Sequence, residues 1–291
     1  MTKRSVPVLA PRIPTILGYD VLAGAVENLG ADSLFKVGDK VWTAGVINRN
    51  GTNSEYTAVD ERIVGYAPSK ISAAKAAAVP LVLLTAWEGI FEQLGLKPFD
   101  SKSNAGKSLL ILPGAGGVGS FVIQLAKKLC GLIVIATASR TESGAAVKAL
   151  GADIVINHRK PLKEQLEANG LSGVDYIYNA YKTDVNFDQY CEIINPLGKI
   201  VSIVECDKDL PLTKLMSKRA TFSWELMFTR ALYNADPIQQ HYILNHGAML
   251  VDCGLLQLPD VVIHPYSVEN LRKIHEEQES GRMIGKNVLE M

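Results

Sequence analysis

The chain has 291 residues, 47% of them hydrophobic, and its 30 basic side chains balance its 30 acidic ones. That is material for one large or two medium domains with a substantial core, and the neutral balance leaves no electrostatic footprint for nucleic acid or an anionic membrane. No apolar run looks long enough to span a bilayer, and the basic start leads into Pro7, Pro11 and Pro14 rather than a signal-peptide core; Cys130, Cys191, Cys206 and Cys253 are scattered, which suits reduced thiols in a cytoplasmic setting and forms no structural zinc cluster.

Residues 1 to about 85 read as β-rich. Short apolar runs at Val21–Val26, Lys40–Val46 and Glu55–Val59 are separated by Gly, Asn and Asp turns. From Ser72 the texture becomes helical, through Ala73–Ala78 and then Leu81–Leu94, with Pro80 as a break. Strands then alternate with helices. Strands are predicted at Ser108–Leu112, Leu132–Thr137, Ile154–Ile156, Val174–Tyr178 and Lys199–Val204, with a sixth at Ala220–Trp224. Helices are predicted at Gly117–Leu129, Ser143–Leu150, Leu162–Asn169 and Phe187–Ile194. This alternation means an α/β fold with a doubly wound parallel sheet, and strands without strict period two are those covered on both faces. The tail offers a helix at Pro237–Cys253, a strand at Val261–His264, a helix at Val268–Ser280 and a strand at Asn287–Leu289.

The first predicted strand of the alternating region runs directly into Gly114-Ala115-Gly116-Gly117-Val118-Gly119, and a helix runs out of it. In that context G-x-G-x-x-G is a dinucleotide fingerprint of the Rossmann type. Gly114 allows a tight turn, Gly116 a close approach of backbone to pyrophosphate, and Gly119 close packing of helix on strand. The helix N-terminus presents N–H groups and a positive dipole end to the phosphates. An NAD site wants Asp or Glu about 20 residues past the turn. Here the second strand ends in Ser139-Arg140, a hydroxyl and a guanidinium suited to a ribose 2′-phosphate. The expected cofactor is therefore NADP (NADPH), with NAD the less favoured alternative.

Together with Phe35–Val41, Ser54-Glu-Tyr56, Pro80–Trp87, Leu150-Gly-Ala-Asp153, Phe222–Arg230 and Gly285–Leu289, in this order and spacing, these segments resemble the medium-chain dehydrogenase/reductase superfamily. The resemblance covers almost the whole chain and is nearest the zinc-independent, quinone oxidoreductase-like branch that includes zinc-type alcohol dehydrogenase-like proteins. It implies a GroES-like β-barrel domain over 1–88, a Rossmann domain over 89–235 and a return to the first domain over 236–291. It also implies a homodimer through the edge strand near Ala220–Trp224, and hydride transfer from the nicotinamide to a polarised double bond or carbonyl of a quinone, enone or enoyl thioester. On this resemblance Thr85 lies beside the nicotinamide ribose, Asn179 where the chain passes the cofactor, and Lys286 near it.

Two departures stand out. Gly18-Tyr19-Asp20 replaces the Gly-His-Glu of zinc members, and no cysteine precedes Cys130, so no catalytic zinc is expected. The family's longer N-terminal stretch, with an Asn-Pro-x-Asp loop, has no counterpart here. An N-terminally truncated chain is therefore expected, and the alternative function is a non-catalytic dinucleotide-binding pseudoenzyme or sensor. Hydride addition to an enone needs a donor for the enolate oxygen and an acid for the carbon. The candidates left are Tyr19, Asp20, Asn53, Ser54, Tyr56 and Thr85. Tyr56 is the preferred acid, against the alternative of an aromatic packed in the barrel; Asp20 is read as bonding local backbone. Tyr178-x-x-x-Lys182 imitates the catalytic pair of short-chain dehydrogenases, but it starts in a strand rather than on one helical face. His241 and His246 read as ordinary helix residues.

Overall fold

The structure is a computed structural model that describes residues 16, 18–19, 21–26, 33–281 and 283–290. The chain divides into two compact units, residues 1–84 with 227–291, and residues 85–226. The first opens with β1 (Val21–Ala25), β2 (Lys40–Thr43) and β3 (Val64–Tyr66), an antiparallel sheet in the order β1-β2-β3. The expected strand at Glu55–Val59 does not form. That segment is irregular and largely exposed, and β2 pairs instead with Val64–Tyr66, where Ile63 and Val64 are buried and Val64 packs with Phe35 and Val41. Helix α1 (Ala73–Ala76) starts at Ser72, whose hydroxyl accepts the Lys75 N–H.

Pro80 does not break a helix: it is the first residue of α2 (Pro80–Trp87), where its missing N–H costs nothing. The helix then widens into a π-turn over Glu88–Gln93. At that point the Thr85 carbonyl accepts the hydroxyl of the fully buried Tyr178 at 2.7 Å. A side-chain donor on a helical carbonyl is a recognised cause of such a register change. Contrary to expectation, residues 73–93 are long and apolar enough to cross a membrane (mean hydropathy 1.4), but 72% of the most apolar window is buried within the protein, as in the core helix of a globular fold.

The second unit is the Rossmann domain. Its strands are β4 (Ser108–Leu112), β5 (Ile133–Thr137), β6 (Ile154–Ile156), β7 (Val174–Asn179), β8 (Ile194–Ser202) and β9 (Thr221–Trp224). They form one parallel sheet in the order β6-β5-β4-β7-β8-β9. This order reverses between β4 and β7, the switch point beyond whose carboxyl ends ligands bind in such sheets. Helices α3 (Gly117–Gln124, continued by a π-turn over Leu125–Leu129), α4 (Thr141–Ala149), α5 (Leu162–Ala168) and α6 (Thr183–Ile193) connect the strands. All five residues of β4 are buried, as predicted for a strand covered on both faces. One core layer joins Leu110, Ile177, Phe187, Tyr190, Ile200 and Leu215 among others.

The largest boundary differences in this unit are at α6 and β8. Helix α6 starts at Thr183 rather than Phe187, and β8 starts at Ile194, carrying Pro196 and Gly198 through a register shift against β7. Proline is tolerated in a sheet at such an irregularity. Lys218 donates to the carbonyls of Cys191, Glu192 and Ile194 at 2.7 to 2.9 Å and so closes the carboxyl end of α6.

The chain then returns to the first unit with α7 (Thr229–Leu232), α8 (Ile238–Asp252), β10 (Val261–Pro265), α9 (Val268–Glu279) and β11 (Lys286–Glu290). Strands β10 and β11 pair in parallel as a separate two-stranded sheet. Helix α8 is tied to the amino-terminal part of its unit by polar contacts. Asn245 accepts the Tyr66 N–H at 2.8 Å, and Asp252 accepts the N–H groups of Ser69 and Lys70 at 2.9 Å. His241 Nδ1 bonds the Val64 carbonyl at 2.6 Å, so it carries the proton, and Nε2 accepts from Asn245.

Candidate functional site: a dinucleotide cradle at the carboxyl edge of the parallel sheet

The glycine turn lies between the carboxyl end of β4 and the start of α3. A side chain at Gly119 would run into the carbonyl oxygens of Pro113 and Gly114, and one at Gly114 would sit 2.8 Å from the Ala136 methyl and 2.9 Å from Val147. Both are glycines because helix and strand press together here. For Gly119 that is the expected reason. For Gly114 it differs: its backbone lies outside the left-handed region, and the constraint is packing against β5 and α4, not the turn. Gly116 is different again, since a Cβ there would have no neighbour nearer than 4.0 Å. Gly116 is also the N-cap of α3, with no side-chain cap, and Ala115, Gly117 and Val118 complete the rim. The turn is thus filled with protein on its inner side and open at Gly116, a shape that fits a pyrophosphate against helical N–H groups.

Ser139 and Arg140 follow β5. Ser139 is half-buried and Arg140 exposed, and Arg140 is the N-cap of α4. The Ser143 hydroxyl holds the Arg140 backbone from both sides, accepting its N–H at 3.2 Å and donating to its carbonyl at 3.0 Å. At the same carboxyl edge, just beyond β6, is a residue that the sequence did not single out, His158. Its Nδ1 lies 3.3 Å from the hydroxyl of Thr137 at the end of β5, and its ring is 6.1 Å from that of Tyr181, beyond β7. Burial, with a contribution from Arg159, holds its pKa below the ordinary histidine value. The signal was the strand end Ile156-Asn157-His158, legible only once β5 and β6 are known to be adjacent.

Asn179 ends β7 but its side chain turns inward, fully buried, and all its hydrogen-bonding capacity is used within the protein. A contact from it to a dinucleotide would have to run through backbone. Thr85 is nearly buried in α2, with its carbonyl on Tyr178. The Tyr178-x-x-x-Lys182 pair is dissolved by the fold, since Tyr178 is inside the core and Lys182 lies in the loop at φ 28° with its ammonium 5.9 Å from the Tyr181 ring.

The other candidates belong to the first unit. Tyr56 is 71% exposed, not packed in a core as its alternative reading required, and its carbonyl accepts the Ser54 hydroxyl at 2.8 Å. Asn53, Ser54 and Glu55 line a surface cavity of about 470 Å³ together with Pro265, Tyr266 and Glu290. Tyr19 stacks edge-on against Phe228, Lys286 opens β11, and Asp20 lies outside the described residues. The four cysteines are all free thiols, and burial pushes Cys130 up to about 12. Among the described residues no group of three or more His, Cys, Asp or Glu side chains is placed to hold a metal.

A family model described as zinc-binding dehydrogenase matches residues 117–236. A zinc-type alcohol dehydrogenase-like protein of Staphylococcus epidermidis is 39% identical over 99% of this chain and 85% of its own length. The chain belongs to the medium-chain dehydrogenase/reductase superfamily. As a member it is an oxidoreductase of that type. The crystal structure of a Rhizobium etli protein assigned by name to the zinc-dependent alcohol dehydrogenases superposes with a TM-score of 0.86 at 38% identity, covering 95% of this chain and 81% of that one. A chloroplastic NADPH-dependent alkenal/one oxidoreductase of Arabidopsis thaliana is 37% identical over 66% of this chain and 47% of its own.

Proposed function

We propose that this oxidoreductase uses NADPH to reduce the polarised double bond or carbonyl of a quinone, an enone or an enoyl thioester. The observation that carries the reading is the end of β5, where Ser139 and Arg140 occupy the position at which a carboxylate would select NAD. The relationship to a plant enzyme named for NADPH and for alkenals and alkenones supports both halves of it. In this reading the turn Gly114–Gly119 receives the pyrophosphate on the N–H groups of α3, and Arg140 and Ser139 bind the 2′-phosphate, with His158 on the same edge of the sheet. Thr85 and Lys286 bind the nicotinamide half. The reduced nicotinamide, when bound, supplies the hydride. The protein's own part is to hold the acceptor carbonyl so that its developing negative charge meets a hydrogen-bond donor, and to deliver a proton, to the α-carbon of an enone or enoyl thioester and to oxygen where a quinone or carbonyl is reduced. We assign the proton to the hydroxyl of Tyr56. The edge strand β9, with Trp224 half exposed, supports a second copy pairing there.

The test is direct. NADPH should raise the melting temperature and be oxidised when an enone or quinone is added; no binding of either nicotinamide overturns the reading. Tyr56→Phe should bind NADPH as the wild type does and lose about 100-fold in turnover, the usual contribution of a general acid. Unchanged turnover removes Tyr56 from the mechanism and leaves the cofactor assignment intact.

A further inference from the structure

Beneath the carboxyl edge of β7 and β8 lies a closed polar network formed by Asn179, Thr183, Tyr190 and Ser202, all four fully buried. Its hydrogen bonds can be assigned by counting donors. The Thr183 hydroxyl is 2.6 Å from the Val204 carbonyl, which only accepts, so Thr183 donates there. Ser202, 2.5 Å away, must then donate to Thr183. The two amide protons of Asn179 go to the Thr183 and Ser202 oxygens, each at 2.9 Å. The Asn179 carbonyl oxygen remains, and it accepts the Tyr190 hydroxyl at 2.7 Å and the backbone N–H of Tyr181 at 3.1 Å. Every donor and acceptor of the asparagine is matched, and only one orientation of its amide is allowed.

Two side-chain bonds lead out of this network toward the surface, from Thr183 to the Val204 carbonyl beyond β8 and from the Tyr181 N–H to Asn179. Tyr181 belongs to the loop 180–182, whose Lys182 is held at φ 28°, a conformation that a lysine adopts only when its surroundings impose it. The Tyr181 ring is 44% exposed beside His158, on the edge where Arg140 also lies. The network therefore fixes, from within the core, a loop at the switch point of the sheet.

We propose that Asn179 and Tyr190 are positioning residues for the dinucleotide. Through the Tyr181 N–H they set the loop 180–182 against which the adenosine half of NADPH is held. The proposal rests on the NADPH reading above. Asn179 thereby acts on the cofactor without its side chain touching it, and Tyr190, on the third turn of α6, acts at one further remove. Removing the Tyr190 hydroxyl leaves a buried carbonyl oxygen short of one donor and lets the asparagine tilt toward Tyr181.

The test compares Tyr190→Phe with Asp175→Asn, a change at the opposite edge of the same sheet. For Tyr190→Phe we expect the Kd and KM for NADPH to rise about tenfold while kcat at saturating NADPH stays within twofold. Asp175→Asn should lower the melting temperature without moving either constant. Should Tyr190→Phe not fold, Ser202→Ala, which removes one hydroxyl of the same network, gives the same readout. If the wild type binds NADPH and both network variants bind it equally tightly, the positioning role is overturned and the cofactor assignment stands. If the wild type binds no nicotinamide nucleotide, both are overturned. A rise in KM for both edges alike shows general loosening of the fold and also overturns the proposal.

Discussion

At the amino edge of the six-stranded sheet, acidic side chains bind the starts of neighbouring strands. Asp175 in β7 accepts the N–H of Ser108 at 2.8 Å and an amide proton of Asn195 at 3.2 Å, and Asp153 before β6 accepts the Val134 N–H at 2.8 Å and the Lys127 ammonium at 2.6 Å. At the carboxyl edge the strands end in glycine, amide, hydroxyl and guanidinium groups: the turn after β4, Asn179 after β7, Ser202 after β8, Arg140 after β5. Both edges face the same problem, since a parallel strand has backbone groups beyond the last ladder bond that need partners. One edge solves it with charge directed at the protein. The other, at β4, β5, β7 and β8, solves it with neutral groups folded inward and leaves its cation and its helix N-terminus directed outward; the buried carboxylate of Glu225, after β9, is the exception on that edge. A carboxylate in place of the neutral groups would repel the phosphates that such an edge attracts. This difference separates scaffold from site more cleanly than burial does, because both edges contain buried polar atoms.

The comparison can be broken most severely at Arg140. Arg140→Asp should weaken NADPH on the order of 100-fold, as loss of charge-assisted bonds to a phosphate plus a reversed charge requires, and NADH by no more than a few-fold. Equal loss for both nucleotides would remove the 2′-phosphate from this edge. Next in size is the amino edge. Asp175→Asn should reduce stability by about 1–3 kcal/mol, the consequence of weakening bonds from two buried or half-buried donors, visible as a lower melting temperature with NADPH affinity intact. The smallest effect sharpens the comparison by pH. Burial pushes the Asp153 carboxyl up, but the bonds from Lys127 and the Val134 N–H outweigh it and hold its pKa below the ordinary value. A group lowered in the folded state adds stability above its unfolded pKa and loses it as pH falls through the folded one. The difference in melting temperature between wild type and Asp153→Asn should therefore be full at neutral pH and shrink as the solution is acidified below the ordinary aspartate range. A difference that grows on acidification would contradict the assignment.

The sheet was legible because its strands are continuous apolar runs punctuated by glycine, and the alternation with helices leaves few alternative topologies. The cradle was legible because glycine has few substitutes where backbone meets backbone. Among what escaped, three features show why. Strand β3 is three residues long and is specified by its partners, β2 and the distant α8, so no local pattern announces it. The start of α6 escaped because Thr183 is a polar residue whose side chain bonds across to β8 rather than to its own helix. The Asn179 network was invisible because Asn, Thr, Tyr and Ser at 179, 183, 190 and 202 each resemble surface residues. Only the parallel register of β7 and β8, with Asn179 opposite Ser202, makes them one cluster.

The contacts of α8 with Tyr66 and Ser69 set the order of events in time as well as space. They join residues 179 and 183 positions apart, whereas the Rossmann unit is one uninterrupted stretch between them. On the ribosome the chain must extend past Asp252 before the Ser69 and Lys70 N–H groups meet their acceptor. Such long closures are slow to form, and β3 lacks its α8 partner meanwhile. A segment made before the Rossmann unit is thus completed after it, and until then it is open to proteases and to pairing with the wrong strand.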